Sequence, residues 1–382
     1  MQIRYANLPP IKLDQKIWAE FKKNPPAFCD LLNFDCAEIL KFAKNCQHRQ
    51  ILVIGIGGSS LPARALVEAL GNEKREFYFL ENVDPVAAGK IFTHIDWKKV
   101  LVLVASKSGG TLETLANFFV VQKFLGKNWS RQTVFLTDAE KGFLRALAKK
   151  EKVRTFAIPE KVGGRFSIFS PVGLLPAALA GIDLKKLLSG ARKTDPKQAL
   201  AFAQIQAAEF RKGKNISVFC VYANALEALA KWFEQLLAES IGKNSRVGIT
   251  PAVAVGAIDQ HSKLQLWHDG PADKFFIFVG AQKFARDFRI PRTPAEFSFL
   301  KNDSLGTILR AEFLATAESL SEKKRPVALF DLPKIEPEIL GEFLQFWMLE
   351  IYFLAKILGV NFADQPGVER GKVLARKRLA RN

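Results

Sequence analysis

Cysteine is scarce in this chain of 382 residues, and histidine is as scarce; there are four of each. The cysteines, Cys29, Cys36, Cys46 and Cys220, are irregularly spaced with no Cys-x-x-Cys pair, so neither a zinc site nor a disulfide framework is indicated. No cluster of histidine and aspartate stands at ligand spacing, and no metal or other cofactor is expected. An apolar run long enough to cross a membrane is missing, as is a secretory signal peptide. The expectation is a reduced, cytoplasmic enzyme with no membrane partner. Arginine-rich blocks interleaved with aromatics are also missing, apart from the short tail Arg376-Lys-Arg-Leu-Ala-Arg381. The net charge of +18 therefore speaks for solubility and attraction of anions, and no nucleic-acid partner is expected.

What the chain does have is two loops rich in glycine and hydroxyl groups, each after an apolar run. Gly55-Ile-Gly-Gly-Ser-Ser60 comes after Gln50-Ile-Leu-Val-Ile54, and Ser106-Lys-Ser-Gly-Gly-Thr111 after Val100-Leu-Val-Leu-Val104. Glycines let a backbone turn tightly and approach an anion, while hydroxyls and free N–H groups at a helix start donate hydrogen bonds to it. The first loop lacks the third glycine of a dinucleotide fingerprint, since Ser60 stands there. It also lacks the Gly-Lys-Ser/Thr ending of a Walker loop. A tight strand-to-helix turn remains a bland alternative for it. The second loop, with three hydroxyls and Lys107, reads as a cradle for a small phosphorylated ligand.

About 45 residues, judged by periodicity, precede the first loop and look mainly helical. Strands are expected at 50–54, 76–80, 100–104 and 133–136, alternating with helical patterns, which implies a parallel sheet with helices on its faces. Ligands on such sheets bind at the carboxyl ends of strands, where both glycine loops lie. A helix-rich join at 171–212 leads to further strands at Ile216–Val221, Phe275–Val279 and Val327–Phe330. A long helix is expected from Ala225 to Ile241. An amphipathic helix over Pro337–Leu358 precedes a basic final helix.

Six motifs in order resemble the glucose-6-phosphate isomerase (phosphoglucose isomerase) family in its short form. They are the two loops, Gly163-Gly-Arg-Phe-Ser167 with Val172-Gly-Leu-Leu-Pro176, and Gln235-Leu-Leu-Ala-Glu-Ser-Ile-Gly-Lys243. Asp259-Gln-His-Ser-Lys-Leu-Gln-Leu266 and Pro366-Gly-Val-Glu-Arg-Gly-Lys372 complete the set. The resemblance implies an α/β fold of two sugar-isomerase (SIS)-type three-layer αβα domains with parallel sheets. On that basis the expected organisation is an N-terminal helical segment (1–47), domains at 48–185 and 186–335, and a C-terminal helical arm (336–382).

The implied reaction is reversible isomerisation of D-glucose 6-phosphate and D-fructose 6-phosphate through ring opening and a cis-enediolate. Moving a proton between adjacent carbons needs one base. Glu239, four residues after Gln235 and on the same helix face, could be an ordinary solvated polar residue, and Lys243 could merely pair with it. The resemblance makes Glu239 the base. It gives Arg165 the task of stabilising the enediolate, and His261 and Lys372 that of assisting ring opening. Gly58, Ser59, Ser106, Lys107, Ser108 and Thr111 are implied phosphate ligands, and Gln235 is an implied substrate ligand. It also implies a homodimer in which His261 reaches the partner's site. Gly110 stands where many relatives have threonine, and Gly109 where larger enzymes carry an aromatic residue. Two alternatives remain at this level. One is an isomerase that also accepts mannose 6-phosphate, and the other a sugar-phosphate-sensing module without turnover.

Overall fold

The computed structural model describes residues 1–380, in which ten strands form two five-stranded sheets. The strands are β1 (Gln2–Ala6), β2 (Gln50–Ile54), β3 (Glu76–Leu80), β4 (Val100–Ala105) and β5 (Thr133–Thr137). They continue with β6 (Arg154–Ala157), β7 (Ile216–Tyr222), β8 (Thr250–Val255), β9 (Lys274–Lys283) and β10 (Val327–Lys334). The helices begin with α1 (Gln15–Lys23), α2 (Ala37–Asn45), α3 (Leu61–Leu70), α4 (Pro85–Phe92) and α5 (Leu112–Leu125). Next come α6 (Phe143–Glu151), α7 (Pro171–Leu179), α8 (Leu184–Arg192), α9 (Pro196–Arg211) and α10 (Glu227–Ile241). The last are α11 (Gln260–Asp269), α12 (Leu305–Glu322), α13 (Pro337–Leu358) and α14 (Glu369–Leu379).

The first sheet has the order β3-β2-β4-β5-β6 and is parallel throughout. Its central strands are continuous apolar runs because helices cover both faces; every residue of β4 is buried. From β2 the chain passes to β3 on one side and then returns to β4 on the other. That reversal opens a crevice at the carboxyl ends of β2 and β4, where both glycine loops emerge. The second sheet has the order β1-β10-β9-β7-β8, parallel except for β1, which pairs antiparallel with β10. The N-terminal segment is thus not purely helical. It carries the expected helices, but Gln2–Ala6 crosses to the far sheet as an edge strand.

One continuous apolar core contains residues from both sheets, from α7 to α10 and from α13. Helix α10 packs on α3, β8 and α13. Its stripe Leu226, Leu229, Phe233 and Leu236 is buried, with Phe233 stacked on Phe219 at 4.1 Å and edge-on to Trp347 at 4.7 Å. Burying such rings contributes roughly 2 kcal/mol each and fixes the rotation of α10 about its axis. Gln235 and Glu239 lie on the flank of that stripe, between it and the exposed face that carries Glu227, Lys231 and Ala238. Helix α13 is not the amphipathic helix expected of it. It is buried from Leu340 to Ala355 apart from Glu342, because its sequence is apolar all round.

Glu350, in the middle of α13, is fully buried and neither carboxylate oxygen has a hydrogen-bond partner. Burial holds this carboxyl well above the ordinary carboxylate range. The unfolded chain releases the proton near 4.5, so the stability present below that pH is lost as pH rises towards the folded-state value. Glu350→Gln removes this titration. Its melting temperature should equal the parent's near pH 4.5 and exceed it by about 2–5 °C near pH 7.5. Parallel melting curves at the two pH values check this, and a constant difference between the proteins would refute it.

Candidate active site

The glycines of the first loop are required by what lies against them. A Cβ at Gly58 would stand 2.4 Å from the backbone of Gly164, so only glycine lets this loop meet the arginine loop. Gly57 has φ +54°, and a Cβ there would press on Gln235 Nε2 at 2.8 Å. The contact is reinforced from the other side, where Ser167 Oγ donates to the Gly58 carbonyl at 3.1 Å. Two turns distant in sequence, 57–59 and 164–166, are thereby locked together at the edge of α10.

Arg165 sits in that lock, 2% exposed. Its Nε donates to Ser240 Oγ at 2.8 Å, and one terminal nitrogen donates to Glu239 Oε2 and Gln365 Oε1, both at 2.9 Å. The other terminal nitrogen donates to the carbonyls of Phe362 and Asp364. Trp232 Nε1 holds the Arg165 carbonyl at 3.0 Å. Burial lowers the guanidinium pKa, and the Glu239 carboxylate opposes that shift. Gln235 Nε2 donates to Glu239 Oε1 at 2.8 Å. Both oxygens of Glu239 are therefore held, while 31% of its side chain stays open. This is a carboxylate fixed in place and not sealed off.

Beside this network lies a cleft of about 620 Å³. Ser59, Lys107, Ser108, Thr111, Gln365 and Lys372 line it, with Asp138, Lys141 and Glu160 on its rim. Lys107 Nζ donates to the carbonyls of Glu160 and Val162 at 2.6 and 2.9 Å, and burial lowers its pKa. A partly desolvated cation beside the hydroxyls of Ser59, Ser108 and Thr111 is suited to an anion. Ser106 is buried, and its Oγ lies 2.9 Å from Thr111 Oγ1; in this arrangement it braces the loop from beneath. Lys372 lines the cleft from α14, with Glu369 Oε1 at 2.7 Å.

Most of the residues singled out in the sequence are thus brought together, but His261 is not. It is exposed at the start of α11 and does not line the cleft. Its turn is nevertheless well held. Asp259 accepts from the Val255 amide and from Ser262, and pairs with Lys263 at 3.1 Å. Gln260 bridges Tyr222 and Glu312. Residues that sequence reasoning misses are Gln365, Asp364, Ser240 and Trp232. Gln365 and Asp364 stand just upstream of the Pro366 motif, and Ser240 and Trp232 lie on the helix that bears Glu239. Among the described residues, no group of three or more histidine, cysteine, aspartate or glutamate side chains could hold a metal ion. No helix among them is long and apolar enough to cross a membrane.

A family model described as phosphoglucose isomerase matches residues 41–381. The chain belongs to the phosphoglucose isomerase family. A glucose-6-phosphate isomerase of Thermus thermophilus is 41% identical over 345 residues, covering 86% of this chain and 83% of that one. One of Carboxydothermus hydrogenoformans is 39% identical over 374 residues, covering 88% and 81%. The crystal structure of a hypothetical protein from Thermus thermophilus matches with a TM-score of 0.88 at 38% identity, covering 96% of this chain and 93% of that one. A glucose-6-phosphate isomerase structure from Chlamydia trachomatis shares the fold, with a TM-score of 0.76 at 23% identity over 97% and 76% of the two chains. The expected sugar-isomerase-type α/β architecture is borne out.

Proposed function

We propose that this phosphoglucose isomerase interconverts D-glucose 6-phosphate and D-fructose 6-phosphate, a step of glycolysis and gluconeogenesis. The observation that carries this reading is a fixed, partly open carboxylate, Glu239, paired with a buried arginine beside a cleft built for phosphate. Ser59, Lys107, Ser108 and Thr111 take the phosphate, with Gly58 supplying backbone and Ser106 bracing the loop. Anchoring at this remote end orients C1 and C2 for reaction.

Lys372 and His261 assist ring opening by moving protons at the ring oxygen and the C1 hydroxyl. Glu239 then takes the C2 proton and returns it to C1. Arg165 holds the Glu239 carboxylate in place and offers positive charge to the enediolate oxygen. Because His261 stands exposed and outside its own cleft, it serves the site of a second copy. The working unit is then a homodimer, and the reading sets it in the cytoplasm. No cofactor is needed for a proton transfer between neighbouring carbons.

Glucose 6-phosphate supplied in deuterated water, with a chelator present and mannose 6-phosphate run in parallel, tests the reading. Fructose 6-phosphate carrying deuterium at C1 is expected, with mannose 6-phosphate left unconverted. Tight sugar-phosphate binding without turnover would overturn the enzyme assignment. Conversion of mannose 6-phosphate would overturn the narrow specificity.

A further inference from the structure

Lys243 stands four positions beyond Glu239, a spacing that allows the two to pair on one helix face. In the structure it turns elsewhere. Its Nζ lies 3.2 Å from Asp364 Oδ1 and also donates to the Asp364 carbonyl. The side chain is 9% exposed. Asp364 Oδ2 accepts from Asn361 Nδ2 at 3.0 Å, so both carboxylate oxygens are engaged. Arg165 grips the same stretch from the other side, at Phe362, Asp364 and Gln365. Two cations from separate parts of the chain thus hold residues 362–365.

The helix beyond that stretch is poorly anchored. Helix α14, which carries Lys372, has no buried residue. Val373, Leu374 and Leu379 all stand exposed. Hydrophobic packing within the chain therefore does not fix where Lys372 sits. Its position in the cleft depends on the tether eight residues upstream.

We propose that Lys243 is a positioning residue. Its ion pair with Asp364 buckles segment 362–365 to the helix that bears Glu239, and so sets Lys372 over the cleft. The inference rests on the roles given above to Glu239 and Lys372. A misplacement of about 1 Å at a reacting group can cost on the order of 100-fold in rate, so a tether of this kind bears on turnover. Substrate affinity is set at the phosphate loops, which the buckle does not touch.

The test is steady-state kinetics on Lys243→Met, Lys243→Arg, Lys372→Ala and the double variant Lys243→Met/Lys372→Ala, with melting temperatures and tryptic digestion in parallel. Lys243→Met should lower kcat by roughly 10–100-fold, with KM changed less than about threefold. Lys243→Arg should recover most of that loss. The double variant should be no slower than Lys372→Ala, because Lys243 acts through Lys372. Trypsin should cut residues 369–379 faster in Lys243→Met than in the parent. Losses that multiply in the double variant, or a lowered melting temperature with kcat unchanged, would overturn the proposal. If Lys372→Ala keeps full activity, the ring-opening role of Lys372 fails, and the digestion alone decides the buckle: faster cutting upholds it and an unchanged rate refutes it. Should Lys243→Met not fold, Asp364→Asn breaks the same ion pair and enters the same cycle.

Discussion

Glu239→Gln should lower kcat by about 10³-fold or more while leaving sugar-phosphate affinity within a few-fold of the parent. The amide has nearly the shape of the carboxylate and its oxygen still accepts from Arg165 at the Oε2 position. It cannot take a proton from carbon. The proposed phosphate cradle of Ser59, Lys107, Ser108 and Thr111 belongs to other loops and is untouched. Initial rates in both directions, with calorimetric titration of a non-isomerisable analogue such as glucitol 6-phosphate, separate the two effects. Turnover within tenfold of the parent would remove Glu239 from the role of base. Loss of binding together with turnover would show that the carboxylate holds ligand as well. Deuterium exchange at C2 of glucose 6-phosphate should vanish in step with kcat, since both begin with the same abstraction.

The parts of this molecule that are legible in the sequence are those whose signal is local. β2 and β4 stand out because a strand covered on both faces reads as an unbroken apolar run. The loops after them stand out because close backbone approach and anion binding demand glycines and hydroxyls together. β1, β6 and β8 are different. All three lie at sheet edges, where burial is partial and the apolar run is short or broken. β8 contains Pro251, which an edge strand tolerates and a central one does not. β1 alternates polar and apolar residues and becomes a strand through pairing with β10, over 320 positions away. No local pattern contains that partner.

The site divides the same way. Gln235 and Glu239 are one helical turn apart, so their shared face can be read directly from spacing. The link from Arg165 to Gln365 joins residues 200 positions apart, and nothing in either neighbourhood announces the other. Lys243 shows the limit most clearly. Spacing offers it Glu239 as a partner, yet the chain folds Asp364 against it, and a carbonyl and a carboxylate together outcompete a single turn-to-turn pairing. Helix α13 departs from its expected amphipathic character for a related reason. A helix that is apolar on every side can be read as buried, but not which neighbours enclose it.

Arg165→Lys should be the second most damaging change, and it should damage differently from Glu239→Gln. The guanidinium spreads its donors over Ser240, Glu239, Gln365 and the carbonyls of Phe362 and Asp364. A lysine ammonium is a point charge with three donors, and cannot reproduce a planar fork that satisfies partners on separate segments. Several buried acceptors then lose their donor, each at a cost of about 1–3 kcal/mol before relaxation. The expected outcome is a fall in kcat of roughly 10²–10³-fold, as for removal of a fixed donor to a developing oxyanion, together with a lower melting temperature. Glu239→Gln, by contrast, should leave the melting temperature nearly unchanged. The two residues touch, so their effects should not add: Glu239→Gln/Arg165→Lys should be little slower than Glu239→Gln alone. Full multiplication of the two losses would mean that Arg165 stabilises the reacting oxygen without acting through Glu239. A kcat near the parent's in Arg165→Lys would mean that charge alone suffices there and that the fork serves only to hold the C-terminal segment.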